Sequence, residues 1–191
     1  MFDRLKKRFW KAASGPVGND GSAEPLPYLN GAYRVHRKED VARFTKLAAD
    51  AFPTFASRIE CFGADWLGRQ FATDKLRVLG GEPQVLLLEP GSGEVFEIPT
   101  GFATFHGQDL LRHPNEVAEY LLFKEWLDVG GAPPEYNQCM GYSKPLFLGG
   151  ENEVSNLELS DFDVYWTICG QLLAQVRALP EGTKINRVTI R

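Results

Sequence analysis

The fold is decided by residues 84–98, whose sequence is Gln84-Val85-Leu86-Leu87-Leu88-Glu89-Pro90-Gly91-Ser92-Gly93-Glu94-Val95-Phe96-Glu97-Ile98. An apolar run of four residues is followed by a Pro/Gly-rich turn, and after the turn polar and apolar residues alternate. Two such runs joined by a short turn-forming segment are typical of a β-hairpin. Upstream, residues 59–62 and 66–72 are short strand candidates. The sequence therefore predicts an antiparallel meander with one buried face.

Helical periodicity flanks this meander on both sides. Residues 39–52 place apolar side chains on one stripe, and Pro53 ends the pattern. Residues 108–128 return to helix, with Pro114 in the first turn of a second part and Gly130-Gly131 ending it. Its apolar residues go most of the way round, so it is expected to be largely buried. The segment 132–159 is rich in loops, and a long helix is predicted from Ser160 to Pro180. The fold class is thus α+β, with a meander packed against several helices.

Smaller features complete the predicted elements. Ser160 and Asp163 are candidates for the N-cap and the favourable first-turn charge of the last helix. Ile185, Val188 and Ile190 suggest a final strand at an edge. Residues 145–148 are apolar and precede two glycines, which predicts a buried strand ending in a tight turn.

Residues 1–27 are set apart from a single α+β domain over residues 28–191. Phe2, Leu5, Phe9 and Ala13 follow helical spacing among basic residues, which predicts a short basic amphipathic helix. Residues 14–27 are rich in Gly, Pro and small polar residues and indicate a linker or a long surface loop. The helix could lie on a membrane, on a partner, or against the domain itself.

The net charge of −4 is unevenly distributed along the chain. Residues 1–81 carry +5, residues 82–163 carry −12 and residues 164–191 carry +3. An acidic surface disfavours nucleic acid as its direct partner and favours a basic protein. The alternative is a solvated acidic surface that only keeps the protein dissolved.

No motif for catalysis, cofactors or metals is present in the sequence. The histidines His36, His106 and His113 lack the spacing of metal ligands, and no G-x-S-x-G or G-K-[ST] segment occurs. Three cysteines without a C-x-x-C pair favour a reducing compartment, the cytoplasm, and no apolar run is long enough to span a bilayer. The sequence therefore predicts a protein that is not an enzyme and has no cofactor, metal site or membrane span.

One polar pair goes beyond a generic core. Asp65 and Arg69 lie in a segment of aromatic residues and glycines, residues 61–71, and are spaced so that they could form an ion pair. The interpretation is a structural corner, with Gly63 and Gly68 allowing tight turns or a close approach of the backbone.

A second stretch carries a family resemblance. The residues are Gly141-Tyr142-x-x-Pro145-Leu146-Phe147-Leu148-Gly149-Gly150, then Val154-x-Asn156-Leu157-Glu158, then Tyr165-Trp166-x-Ile168-x-x-Gln171-Leu172. This pattern, over about residues 139–173, resembles the C-terminal domain of the type VI secretion immunity proteins that neutralise DNase effectors. The chain is also similar, more loosely, to the SUKH superfamily of immunity proteins, which share an α+β architecture.

The resemblance implies a stoichiometric inhibitor that binds a cognate toxin in the cytoplasm and occludes its active site. A nuclease toxin must hold phosphate, so its cleft tends to be basic and attracts an acidic binder. Two alternatives stay open: a SUKH-type regulatory or scaffold protein that binds a host partner or small ligand, and an enzyme with a carboxylate site. The residues expected to form the acidic contact surface are Glu94, Glu97, Glu151, Asn152, Glu153, Asp161 and Asp163.

Overall fold

The computed structural model describes residues 28–180 together with Thr183 and Ile190. The basic helix predicted at residues 2–13 and the linker at 14–27 lie outside the described residues. The same holds for the final strand predicted from Ile185 and Val188 to Ile190, of which only Ile190 is described.

Five antiparallel strands form one sheet in which each strand pairs with its neighbour in sequence. The predicted meander and its central hairpin are therefore confirmed. The turn of that hairpin closes with Glu89 opposite Glu94, and the amide of Gly93 donates to the carbonyl of Glu89 at 2.9 Å. The five strands are β1 (Tyr33–Val35), β2 (Ile59–Asp65), β3 (Gln70–Leu79), β4 (Glu82–Glu89) and β5 (Glu94–Gly101).

Both faces of the sheet are buried, which corrects the prediction of one buried face. Val85 and Leu87 pack in one hydrophobic core, while Leu86 and Leu88 pack in another on the opposite face. Alternate residues of a strand point to opposite faces, so a central strand covered on both sides needs a continuous apolar run rather than an alternating one. The four consecutive apolar residues of β4 are the sequence signature of that burial.

Two helices cover the second core. Helix α1 (Val41–Ala51) follows a 3₁₀ turn at Lys38–Asp40, buries Phe44, Ala48 and Ala51, and packs against β2. It also packs against the second of these helices, α6 (Phe162–Arg177).

The segment from Phe102 to Asp128 covers the first core and is broken into short pieces. The helical character predicted for residues 108–128 and the second part beginning at Pro114 are confirmed, but that second part is itself interrupted at Glu119. One break falls at His113, because the residue before a proline is disfavoured in helical conformation. Another falls at Glu119, whose φ of 46° is left-handed. The pieces are α2 (Phe102–Thr104), a π-helical turn (Phe105–Asp109), α3 (Leu110–Arg112), α4 (Pro114–Ala118) and α5 (Tyr120–Asp128).

These breaks turn one side of the segment to solvent. Phe105, Leu110 and Phe123 are fully buried, whereas Leu111 is 60% and Leu121 is 59% exposed. The expectation that the apolar residues of this segment are largely buried is confirmed at Val117, Leu122 and Phe123 and fails at Leu121.

A second, two-stranded antiparallel sheet lies in the region predicted to be loops. It pairs β6 (Gln138–Tyr142) with β7 (Leu157–Asp161), and the long connection between them contains two 3₁₀ turns, Leu146–Leu148 and Val154–Asn156. Residues 145–148 therefore form a turn of helix and not the predicted strand, although the tight turn at Gly149 is confirmed by its φ of 84°.

Helix α6 (Phe162–Arg177) ends the described domain and confirms the long helix predicted there. Its N-cap is Asp161 and not Ser160, because the Asp161 side chain accepts the amide of Val164 at 3.0 Å. The α+β class is thus established, with a five-stranded sheet between two layers of helices and a β6–β7 hairpin leading into α6.

Candidate functional site

Glu151, Asn152 and Glu153 lie on an exposed loop between the two 3₁₀ turns. Asn156 fixes the conformation of this loop. Its side-chain amide donates to the carbonyls of Lys144 and Glu151, both at 2.9 Å. Its side-chain oxygen accepts the amide of Lys144 at 3.0 Å. These three bonds close the loop on itself, so the two carboxylates are presented to solvent from a fixed backbone.

Gly150 is required by the same closure. A Cβ atom at this position would overlap the carbonyl oxygen of Lys144, a backbone atom that cannot swing aside. The Gly149-Gly150 pair and Asn156 of the family pattern are therefore structural residues that shape the loop. The acidic residues between them are left free of that structural role.

Not all of the loop residues are free to contact a partner. Asn152 accepts a hydrogen bond from the Tyr142 hydroxyl at 2.8 Å, and Glu153 accepts one from the hydroxyl of Ser155. The Tyr142 bond anchors the loop to strand β6.

Asp161 and Asp163 lie at the start of α6. Asp161 is exposed and caps the helix, while Asp163 forms an ion pair with Arg43 of α1. Asp163 therefore holds two helices together, and its carboxylate is already neutralised by an internal partner.

Glu94 and Glu97 lie on β5, away from this hairpin. Phe96 packs against one core and Val95 against the other, so Glu94 and Glu97 face opposite sides of the sheet. Glu97 is exposed and pairs with Arg77 at 3.3 Å, and Glu94 is half-buried.

The seven predicted residues therefore do not form one continuous surface. Glu151, Asn152 and Glu153 lie at one end of β7 and Asp161 at the other, about 13 Å apart for five extended residues. Strand β7 connects the two ends. Its exposed residues Glu158 and Leu159 were not among the contact residues predicted from the sequence. The charge pattern of the sequence could have indicated a continuous acidic segment here, because five carboxylates and no Lys or Arg occur between residues 151 and 163.

A buried charged cluster lies inside the domain, around Arg69, which is only 3% exposed. Its Nε donates to Asp65 at 2.5 Å, which confirms the predicted pair, and an Nη donates to the carbonyl of Val117 at 3.0 Å. Two more carboxylates, of Glu89 and Glu119, approach the guanidinium at 3.8 and 3.6 Å. Burial raises the pKa of Glu89 to about 7.

Asp65, Arg69 and Glu89 of this cluster are buried, and the groups around Arg69 come from three separate segments of the chain. The cluster ties the β2–β3 turn to the end of β4 and to the break between α4 and α5. Because Arg69 is almost fully buried and bonded to groups from separate segments, we interpret the cluster as a structural junction.

Few other features of the described residues suggest chemistry. No group of three or more His, Cys, Asp or Glu side chains in the described part is arranged to hold a metal ion. The three cysteines are free and buried, and burial raises the pKa of Cys61 and of Cys169 to about 12. From residue 28 to residue 180, no helix combines the length and apolar character that crossing a bilayer requires.

A groove of about 450 Å³ lies between the end of α1, the β4–β5 turn and the end of α6. Phe52 and Phe55 line it, and so does Arg177, whose guanidinium donates to the carbonyl of Ala51 at 2.6 Å. The groove is mostly apolar, and this arginine is already bonded within the protein.

Comparison with known proteins gives a likeness in fold to a solved structure and, over part of the chain, a match to a protein family. No curated protein matches the chain. The crystal structure of Atu4351 from Agrobacterium tumefaciens is similar in fold, with a TM-score of 0.50 and 12% sequence identity over 74% of this chain and 67% of that chain. The match to a family model begins at Asp109 in the π-helical turn and includes the acidic loop, β7 and most of α6. Over these residues, 109–173, the chain matches the family described as T6SS immunity protein Tdi1, C-terminal.

Proposed function

We propose that this chain is a non-catalytic immunity protein that binds a cognate antibacterial effector, a nuclease, and neutralises it through an acidic surface. The observation that carries the proposal is the match of residues 109–173 to a family of type VI secretion immunity proteins. The matched segment contains the most acidic exposed stretch of the domain, so family and electrostatics point to the same region.

The acidic surface supports a basic partner. Glu151, Glu153, Glu158 and Asp161 are all exposed along one loop and strand, and Lys144 is the cation that lies beside this loop. A nuclease must attract phosphate and therefore presents a basic cleft, to which such a surface is complementary. The same negative charge repels nucleic acid, so we propose no direct contact with DNA or RNA.

The proposed location is the cytoplasm of the producing cell. Cys61, Cys139 and Cys169 are unpaired, as expected for a reducing compartment. A nuclease effector would also find its substrate there, so its inhibitor is needed in the same place.

The proposal is tested with the protein encoded by the adjacent gene. Co-expression with this chain is expected to rescue growth, and the two purified proteins are expected to form a stable complex. An adjacent protein that is toxic but neither binds nor is rescued would contradict the proposal.

The acidic surface is tested separately with the double variant Glu151→Lys/Glu153→Lys. We expect its association rate with the effector to fall by about tenfold or more, and to depend less on salt than that of the native protein. Glu60→Lys is the matched control, since Glu60 is exposed on β2, outside the matched segment. If the native chain and the double variant associated with the effector at equal rates at low salt, the proposed role of the acidic surface in binding would be contradicted.

The second candidate is a SUKH-type regulatory or scaffold protein that binds a host partner or a small ligand. The groove beside Phe52 and Phe55 is the observation that favours a small ligand. A solitary gene without a toxin neighbour would support this second function, whereas a toxin gene immediately upstream supports the first.

A further inference from the structure

We infer that the effector is held by strand addition: an extended, basic segment of it pairs with the free edge of β7. This inference rests on the proposed function and names the surface that performs it. It uses the backbone of β7 for affinity and the acidic side chains around it for selection of the partner.

The register of the hairpin shows which backbone groups of β7 are free. The amide of Phe162 donates to the carbonyl of Asn137, and the amide of Ser143 donates to the carbonyl of Asn156. Bonded and non-bonded pairs alternate along an antiparallel ladder, so residues 158 and 160 also point their backbone groups toward β6. The amide and carbonyl of Leu157 and Leu159 therefore point away from β6.

On the outer edge of β6, in contrast, backbone groups that point away from β7 form hydrogen bonds with the rest of the domain. There the amide of Met140 donates to the carbonyl of Trp66 at 2.7 Å, and the carbonyl of Gln138 accepts a bond from Arg34 at 2.7 Å. The amide of Tyr142 is 3.4 Å from the hydroxyl of Tyr165. These three outward groups of β6, the amides of Met140 and Tyr142 and the carbonyl of Gln138, are thus engaged by the domain.

No described strand pairs with the outer edge of β7. Leu159 at its centre is 56% exposed, and Val164 at the start of α6 is 54% exposed. A strand edge with unpaired groups and exposed apolar side chains is a template for another chain. The other long edge of the fold, on β5, is interrupted by Pro99, which has no amide to donate.

The charges around β7 decide which chain fits. Glu158 and Asp161 flank Leu159, and Glu151 and Glu153 continue the negative charge beyond the end of the strand. Two copies of this edge would bring their acidic residues, Glu158 and Asp161 of each strand and the carboxylates of each loop, close together, and this concentration of like charge disfavours self-pairing. Glu158 and Asp161 are three residues apart and therefore face opposite sides of the strand, so a segment with a Lys or Arg on each of its faces would form ion pairs with both, and the occupant is a basic stretch of the effector.

The test is Leu159→Pro, measured against the effector encoded by the adjacent gene. Proline removes an amide that points away from β6, so it leaves the β6–β7 ladder intact while blocking addition of a strand. We expect affinity to fall by about tenfold or more, because one bond is lost and the neighbouring pairs are displaced. Leu159→Ala, which keeps the amide, is the matched control and is expected to weaken binding less.

Hydrogen exchange of the native protein gives a second measurement that needs no variant. On binding, the amides of Leu159 and Asp161 are expected to become protected, whereas those of Glu158 and Ser160 are protected already in the free protein.

The outcomes separate this inference from the proposed function. A native protein that binds and neutralises the effector, with unchanged affinity in Leu159→Pro and no new protection at Leu159, would overturn strand addition and leave the immunity function standing. A native protein that does not bind the effector at all would overturn the proposed function itself.

Discussion

Asp161 shows how one carboxylate has a structural role inside a candidate contact surface. Its side chain accepts the amide of Val164 and so satisfies one of the free donors at the start of α6. The residue is also exposed and acidic, which is why the sequence favoured it as a contact. The two roles need different properties, since capping needs an oxygen acceptor and contact needs a charge.

Two substitutions separate these roles. Asp161→Ala removes the cap and is expected to lower the free energy of unfolding by about 1 kcal/mol. Asp161→Asn keeps an acceptor, so its stability in urea unfolding should stay near that of the native protein while its affinity for the effector falls. If Asp161→Asn were as destabilised as Asp161→Ala, the capping bond would not be the source of the stability.

Residue identity alone could not assign these roles. Ser160, Asp161 and Asp163 are all good capping residues, and only the backbone geometry selects one of them. Asp163 was expected to face a partner, but its ion pair with Arg43 joins residues far apart in sequence. Such long-range pairings leave no local signal.

At the scale of elements, the hairpin β4–β5 and the helix α1 could be predicted from the sequence, and the hairpin β6–β7 could not. The first two depend on local patterns: apolar runs, a Pro/Gly-rich turn and a helical stripe. In β6 the residues Cys139, Met140, Gly141 and Tyr142 are all buried, so no alternation marks a strand. Its partner β7 follows after a long connection, whereas a hairpin signal needs a short one.

Only one of the two helix breaks in the segment 102–128 could be predicted from the sequence. Pro114 marks the first break, but nothing in the sequence marks Glu119 as left-handed. Its side chain reaches the buried Arg69, and its amide donates to the carbonyl of Asn115 at 3.0 Å. The tertiary contact therefore outweighs the helical preference of glutamate.

Gly91 joins the five-stranded sheet to the β6–α6 unit. A Cβ atom there would lie 2.5 Å from the ring of Tyr142 and 2.9 Å from the hydroxyl of Tyr165. We expect Gly91→Ala to lower the free energy of unfolding by about 1–3 kcal/mol, because two packed rings must move.

Gly80→Ala is the control for the alanine substitution itself. Gly80 has a φ of 61°, and a Cβ atom added there would have no neighbouring atom within 4 Å, so only backbone strain of about 1 kcal/mol is expected. Urea unfolding of both variants makes the comparison. A smaller loss for Gly91→Ala than for Gly80→Ala would show that the sheet and the β6–α6 unit are not closely packed at this point.

At the scale of the whole molecule, the cluster around Arg69 couples stability to pH. Burial favours the neutral form of Glu89 and raises its pKa to about 7 in the folded protein, above the ordinary value of 4.5 that applies to the unfolded chain. The folded state therefore binds more protons than the unfolded state between these values, and this contribution to stability is lost as pH rises through about 7.

Glu89→Gln replaces the carboxyl by a neutral group of the same shape. The variant is expected to match the native protein near pH 4.5 and to be more stable at pH 8, by about 3 kcal/mol at most. Urea unfolding across this range is the measurement, with Glu60→Gln on the exposed side of β2 as a control that should run parallel to the native curve. A native stability that rises from pH 5 to pH 8 relative to Glu89→Gln would contradict the assignment.

The segment that matches the immunity family, residues 109–173, does not contain the sheet on which it rests. Trp166 donates to the carbonyl of Gly68 at 2.7 Å, Trp66 donates to the carbonyl of Ala118 at 2.9 Å, and Met140 donates to the carbonyl of Trp66. Recombination that exchanged this segment between related genes would succeed only where the recipient offered the same turn at residues 66–68. Under the proposed function, a change of effector specificity would therefore be compatible with the fold only if these contacts at residues 66–68 were kept.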